Sequence, residues 1–271
     1  MWNNAIFLKT LKDSIFIVLL CAIGIILFQV LFAWAMLEMG TDILEFVSKV
    51  PFLTKIFEIS FGIKVDGEVS VNILFAVCFT HAVVLALTWS NVVAIATRIS
   101  AGEVERGTAD LLLALPITRG EAYFSASAVW MLAAALLSFS PIPGTWLALQ
   151  IFETEEAVHL SSFIAPACNF LALNIAVGGL ASLFASMVDR RSLAIGWIVA
   201  VLLLSMVMKF VEPFVDVAFV NFVGLMYYFN PVDVVRTGEW PLNDIGCLLA
   251  AGITSWVGSL LIFSNRDIPT A

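Results

Sequence analysis

The stretch IFIVLLCAIGIILFQVLFAWAML, residues 15–37, decides the fold class. It holds no Asp, Glu, Lys or Arg, and roughly 20 apolar residues in helical form cross a bilayer core about 30 Å thick. Ala33-Trp34-Ala35 has the small-residue look of a signal-peptide cleavage site. The run is too long for that reading, because a cleaved signal has an apolar region of only about 7–15 residues.

Five further stretches read the same way: 71–97, 122–149, 163–188, 193–211 and 245–263. Lys209, near the end of the fifth, is long enough to snorkel to an interface. A transmembrane barrel would show short alternating segments instead. The composition agrees, with 61% hydrophobic and 13% charged residues, against about 45–50% and 25% in soluble domains. The sequence therefore predicts an all-α, polytopic membrane protein with six transmembrane helices in a single domain, 1–271.

Orientation follows from the basic residues, which favour cytoplasmic connections. With the N-terminus inside, Lys9, Lys12, Arg98, Arg106, Arg119, Arg190, Arg191 and Arg266 are cytoplasmic. Lys49, Lys55, Lys64, Lys209 and Arg236 are then outside, so six of the seven Arg lie inside. Both termini are expected in the cytoplasm, in a cytoplasmic (inner) membrane. Most acidic residues fall outside, so the pI of about 4.7 describes the outer face and points to no nucleic-acid partner.

The connections are short. Residues 2–13 form either a separate helix in the cytoplasmic interface or an extension of the first span. Segment 38–70 reads as one or two short amphipathic helices over the outer face, with Glu45 and Lys49 spaced for an i,i+4 pair. Segment 210–244 is apolar and broken by Pro213, Pro231 and Pro241, which suits a re-entrant hairpin buried in protein. The four cysteines fall in spans and form no disulfide framework.

Sequence motifs for catalysis are missing. Only His81 and His159 exist, without His-Glu-x-x-His or a membrane Gly-x-Ser-Gly, and no Gly-Lys pair marks a phosphate-binding loop. No catalytic, metal or cofactor site is assigned to this chain. His81, an ionisable residue at membrane depth, and Asn91 on the same helix are candidate translocation-pathway residues; a structural hydrogen bond is the other role open to His81. Two small-residue stripes mark close helix packing: Gly178, Ser182 and Ser186, and Gly246, Ala250, Thr254 and Gly258. Each fits packing within the chain or against a second copy.

The most informative segment is the cytoplasmic connection 98–121. Ser100 and Glu103 have capping-box spacing. Gly107 then breaks the chain, Thr108 can cap a second short helix with Asp110 at its positive end, and Pro116 ends it. A charged helix–turn–helix between two spans has the form of a docking knob, with Glu103, Glu105 and Arg106 carrying charge into the cytoplasm.

Glu103, Gly107, Thr108, Leu111, Leu112, Pro116 and Arg119 resemble the motif after the second span of type-2 ATP-binding-cassette (ABC) transporter permeases. Phe263-Ser264-Asn265-Arg266-Asp267 is similar to that family's closing motif, and Asn230-Pro231 also fits. The resemblance implies an interfacial N-terminal helix and a re-entrant outer hairpin before the last span. It also implies a separate ABC ATPase subunit, binding ATP and Mg, that docks on Glu103–Thr108 and drives export through a dimer of permeases. The long first outer segment departs from the shortest members. An ATP-independent carrier or channel, and a membrane scaffold acting on an extracytoplasmic partner, are the rival readings. A carrier would be expected to show broken spans with paired intramembrane charges.

Overall fold

Asn3 starts the first helix by accepting the N–H groups of Ala5 and Ile6 with its side chain, and α1 then runs unbroken over Asn4–Ser48. The computed structural model describes residues 2–50, 52, 54–55, 70–105, 107, 117–154, 156–211 and 224–266, the side chains of 40–44 excepted. At 1.5 Å per residue α1 is about 68 Å long, more than a bilayer with its headgroups, about 40–45 Å. Residues 4–13 are thus an extension of the first span, which overturns the separate interfacial helix. The first part of segment 38–70 is this helix continued, not a short helix of its own. The expected Glu45–Lys49 pair is formed at 2.7 Å. The hydrogen bond from Lys49, and its charge, hold the Glu45 carboxyl below its ordinary pKa.

The second span is not one helix. α2 (Val71–Ala76) passes into a 3-10 turn over Val77–Thr80, and α3 (Ala82–Ala96) follows at a bend of 41°. The break is at His81, whose backbone is extended (φ −67, ψ 134) and whose Nδ1 accepts the N–H of Val83 at 3.3 Å. Its ring packs on Phe28 and Phe32 of α1, with centroids 4.7 and 5.6 Å away. His81 therefore caps a helix inside a span, where one continuous helix was expected.

A π-helical turn, Arg98–Gly102, and the one-turn helix α4 (Glu103–Glu105) end this part of the chain. Next come α5 (Arg119–Phe139) and α6 (Pro141–Ile151), joined through Ser140 with proline at the first position of α6, where its missing N–H costs nothing. α7 (Ile164–Met187), α8 (Arg191–Val211), α9 (Pro231–Thr237) and α10 (Leu242–Asn265) complete the order. Every regular element among the described residues is helical. Five helices, or six with the bent pair counted as one span, are long and apolar enough to cross a membrane. The chain is a multi-pass helical membrane protein.

α7 stands at the centre. The most apolar windows of α5–α6 and α7 are 61% and 67% buried within the chain, against 22%, 22% and 17% for α1, α8 and α10. The outer three present Phe16, Leu31, Leu204 and Leu261 outward, as lipid-facing helices do. α7 and α10 meet at backbone distance: a Cβ on Gly179 would lie 2.2 Å from the carbonyl oxygen of Gly252. The indole ring of Trp130 on α5 lies as closely over Gly178, 2.5 Å from where a Cβ would stand.

The two ends are tied by polar contacts. At one end the Glu156 carboxylate accepts the N–H of Val71 at 2.9 Å, so an acid of the short loop meets the positive end of α2. The described part of segment 210–244 folds onto α7 and α8. Asn169 donates to the Tyr228 carbonyl at 3.1 Å, and Met226 N–H to Ser205 Oγ at 2.8 Å. Lys209 donates to the Phe229 carbonyl at 2.6 Å and to Asn230 Oδ1 at 2.9 Å. These bonds pair the Tyr228 and Phe229 carbonyls and the Met226 N–H of its irregular backbone with protein side chains, as burial requires.

Candidate functional site

The polar end opposite this loop is organised around Thr97. Its carbonyl accepts the N–H groups of Ala101 and Gly102 at 3.4 and 3.2 Å, which closes the π-turn. Its hydroxyl donates to the Val93 carbonyl and accepts Arg191 Nε at 3.0 Å. Arg191 also donates to the Ala94 carbonyl, while its own backbone N–H donates to the Glu105 carboxylate at 3.0 Å. Glu105 therefore sits at the positive end of α8. The segment leaving the second span and the first residue of α8 clasp each other from both sides. π-turns of this sort concentrate at functional sites.

The start of the connection is packed, not projecting. Ser100, Ala101 and Gly102 are buried, and Ala101 joins Ala185, Val188 and Ala194 in a small apolar cluster. The Ser100 capping box does not form, because Ser100 lies inside the π-turn and its Oγ has no hydrogen-bond partner among the described residues. A capping box forms instead at Thr118 and Glu121, at the start of α5.

A second lock lies beside it. Arg266, at the end of α10, donates to the Ser186 and Val188 carbonyls at 3.0 Å each and pairs with Asp189. A cation on the last carbonyls of α7 is favoured by both hydrogen bonding and the helix dipole. Arg119 donates to the carbonyls of Arg266 and Phe263. Arg98 pairs with Asp13 of α1.

Of the residues expected to couple to a partner, Glu103 is half-buried and shares a small pocket with Lys9, Asp13 and Arg98. Glu105 is exposed but already caps α8. Gly107 is exposed with φ +66, its N–H returning to the Val104 carbonyl at 3.0 Å. Arg106, Thr108 and Asp110, with the second short helix expected at 108–116, lie outside the described residues.

His81 and Asn91 are not brought together. Ten residues of helix, about 15 Å, separate the cap from Asn91, which donates to the Leu87 carbonyl at 2.8 Å. Asn91 instead lines a cleft of about 580 Å³ between α1 and α3, with Asp13, Ser14, Ser90, Arg98 and Arg191. Gly178, Ser182 and Ser186 are all buried, and the Ser182 carbonyl accepts Ser259 Oγ at 2.7 Å. Gly246, Ala250 and Thr254 face outward, and Gly258 makes an ordinary contact with Leu183. Sequence reasoning missed Thr97, Arg191, Gly179 and Gly252. The Gly178-Gly179 pair was the available signal for the closest helix contact.

Among the described residues no three His, Cys, Asp or Glu side chains group as a metal site. Charged hydrogen bonds thus join the segment that leaves α3 to α1 through Arg98–Asp13 and to α8 through Arg191 and Glu105. Comparison with known proteins found no matching family model and no matching curated protein.

Proposed function

We propose that the chain is the membrane-spanning permease subunit of an ABC exporter, in a cytoplasmic membrane, working as two permease copies with two ATPase subunits. The observation that carries this reading is the left-handed turn at Gly107, exposed directly after α4 and anchored through Glu105 and Arg191 to α8. A turn held in this way gives a cytoplasmic motor a rigid handle. ATP and Mg would be bound by the ATPase, and closure of its dimer would draw the two handles together. Movement would pass through the Thr97–Arg191 clasp to α3 and α8, and through Arg98–Asp13 to α1. Copurification tests it. An ATP-hydrolysing subunit should be recovered with the detergent-extracted chain and lost from the Gly107→Val variant. Absence of any such subunit from the wild-type preparation overturns the reading.

One observation favours a second reading, an ATP-independent carrier. The 41° break at His81 is of the kind that carriers place at binding sites. Against it, no charged pair stands at the break among the described residues: His81 caps α3 by accepting the Val83 N–H, and its ring packs on Phe28 and Phe32.

A further inference from the structure

We propose that the cleft between α1 and α3 binds a phosphate-bearing anion, in the first place the headgroup of an anionic phospholipid. The cleft, about 580 Å³, has the size of a ligand site. Its charged lining is two guanidinium groups, Arg98 and Arg191, and one carboxylate, Asp13. Arg191 is fixed by Thr97 Oγ1 and the Ala94 carbonyl, so its guanidinium is placed in advance of any ligand. Guanidinium groups present a planar fork of donors that matches phosphate oxygens. Asn91, buried on the cleft wall, adds a polar group.

Depth argues for a lipid. Asp13 and Arg191 stand two residues before the apolar runs 15–37 and 193–211, and Arg98 stands one residue after 71–97. All three charges are thus at headgroup level. Ile17, half exposed on the cleft rim, begins the lipid-facing stripe that continues through Leu20. A molecule with an anionic head and an apolar tail meets complementary surface at both ends, and basic pockets between spans bind lipid headgroups on this principle. Asp13 is the built-in competitor: it pairs with Arg98 at 2.5 Å. The site needs only the membrane fold, so it stands or falls separately from the ATPase reading.

The test is native mass spectrometry of the full chain in mixed micelles with phosphatidylglycerol or phosphatidylcholine. Wild type should retain phosphatidylglycerol roughly tenfold better, and Arg98→Gln should remove most of that preference. Asp13→Asn keeps both arginines and removes the competitor, so retention should rise. That variant decides the matter if Arg98→Gln folds poorly. Stripping of the lipid by millimolar inorganic phosphate assigns the site to free phosphate, and resistance to stripping assigns it to lipid. Equal retention of the two lipids by wild type, with no phosphate binding by calorimetry, overturns the proposal. So does an Asp13→Asn variant whose preference is unchanged or lower.

Discussion

Gly179 of α7 lies against the backbone of Gly252 of α10 so closely that one added methyl would come within 2.2 Å of the Gly252 carbonyl oxygen. The reverse contact is nearly as tight, since a Cβ on Gly252 would lie 2.7 Å from the carbonyl of Ile175. Backbone cannot swing aside as a flexible side chain does, so the helices must separate.

Gly179→Ala and Gly252→Ala should each destabilise the protein by about 3 kcal/mol, the upper part of the overpacking range. Gly196→Ala and Gly246→Ala are the controls, since a Cβ at either position would meet nothing within 4 Å among the described residues. They should be neutral or stabilising by about 0.5–1 kcal/mol, as for Gly→Ala in a helix. Thermal unfolding in detergent separates the two pairs. Equal melting temperatures for all four would mean that α7 and α10 are not in backbone contact.

This contact also shows what the sequence could and could not disclose. Five of the six apolar runs coincide with helices because length and lack of charge decide membrane spanning by themselves. Which face of a helix packs depends on its neighbours. The i,i+4 stripe Gly246, Ala250, Thr254 turned outward, while Gly252, outside that stripe, met α7. The break at His81 was hidden because no glycine or proline marks it. Its cause is a side chain capping the backbone, which hydropathy does not register. At the polar end, Gly107 was legible as a turn from residue type alone. The role of Glu105 was not, because its partner Arg191 is 86 positions away.

His81 should be replaceable by residues that cap equally well. Asn at the first capping position serves as effectively as most residues, whereas Leu offers no acceptor to Val83 and costs about 1 kcal/mol. His81→Asn is therefore expected to keep wild-type stability, with His81→Leu melting lower. If His81 serves only as this cap, ATP-dependent activity of the copurified complex should also survive in His81→Asn. Lost activity in a stable Asn variant would instead give the imidazole itself a part in the pathway.

Orientation can be read by single-cysteine labelling in a background lacking Cys21, Cys78, Cys168 and Cys247. Glu153 and Ser192 are both exposed and lie on opposite sides of one span. Glu153→Cys should react with an impermeant maleimide added to intact cells, and Ser192→Cys only after permeabilisation. The opposite pattern would place the Thr97–Arg191 end outside and remove the ground for an ATPase partner there.

The acidic residues of the inter-span turn need a different test from simple charge reversal. Glu105 caps α8, so Glu105→Lys sets a cation against the positive helix end and loses stability for a reason unrelated to any partner. Glu105→Gln retains an acceptor for the Arg191 N–H and should melt close to wild type. The turn at Gly107 is a cleaner probe. With φ +66 and nothing among the described residues within 4 Å of its missing Cβ, a substitution there acts first on backbone preference. Valine resists a left-handed conformation, at a cost of about 1–2 kcal/mol, whereas asparagine adopts it comparatively readily. Gly107→Val should leave membrane insertion and the melting temperature of the bundle nearly unchanged, because the strain relaxes in an exposed turn. ATPase copurification should be lost in the same variant and largely restored in Gly107→Asn. Val and Asn variants that both bind the ATPase as wild type does would show that the turn is not its docking handle.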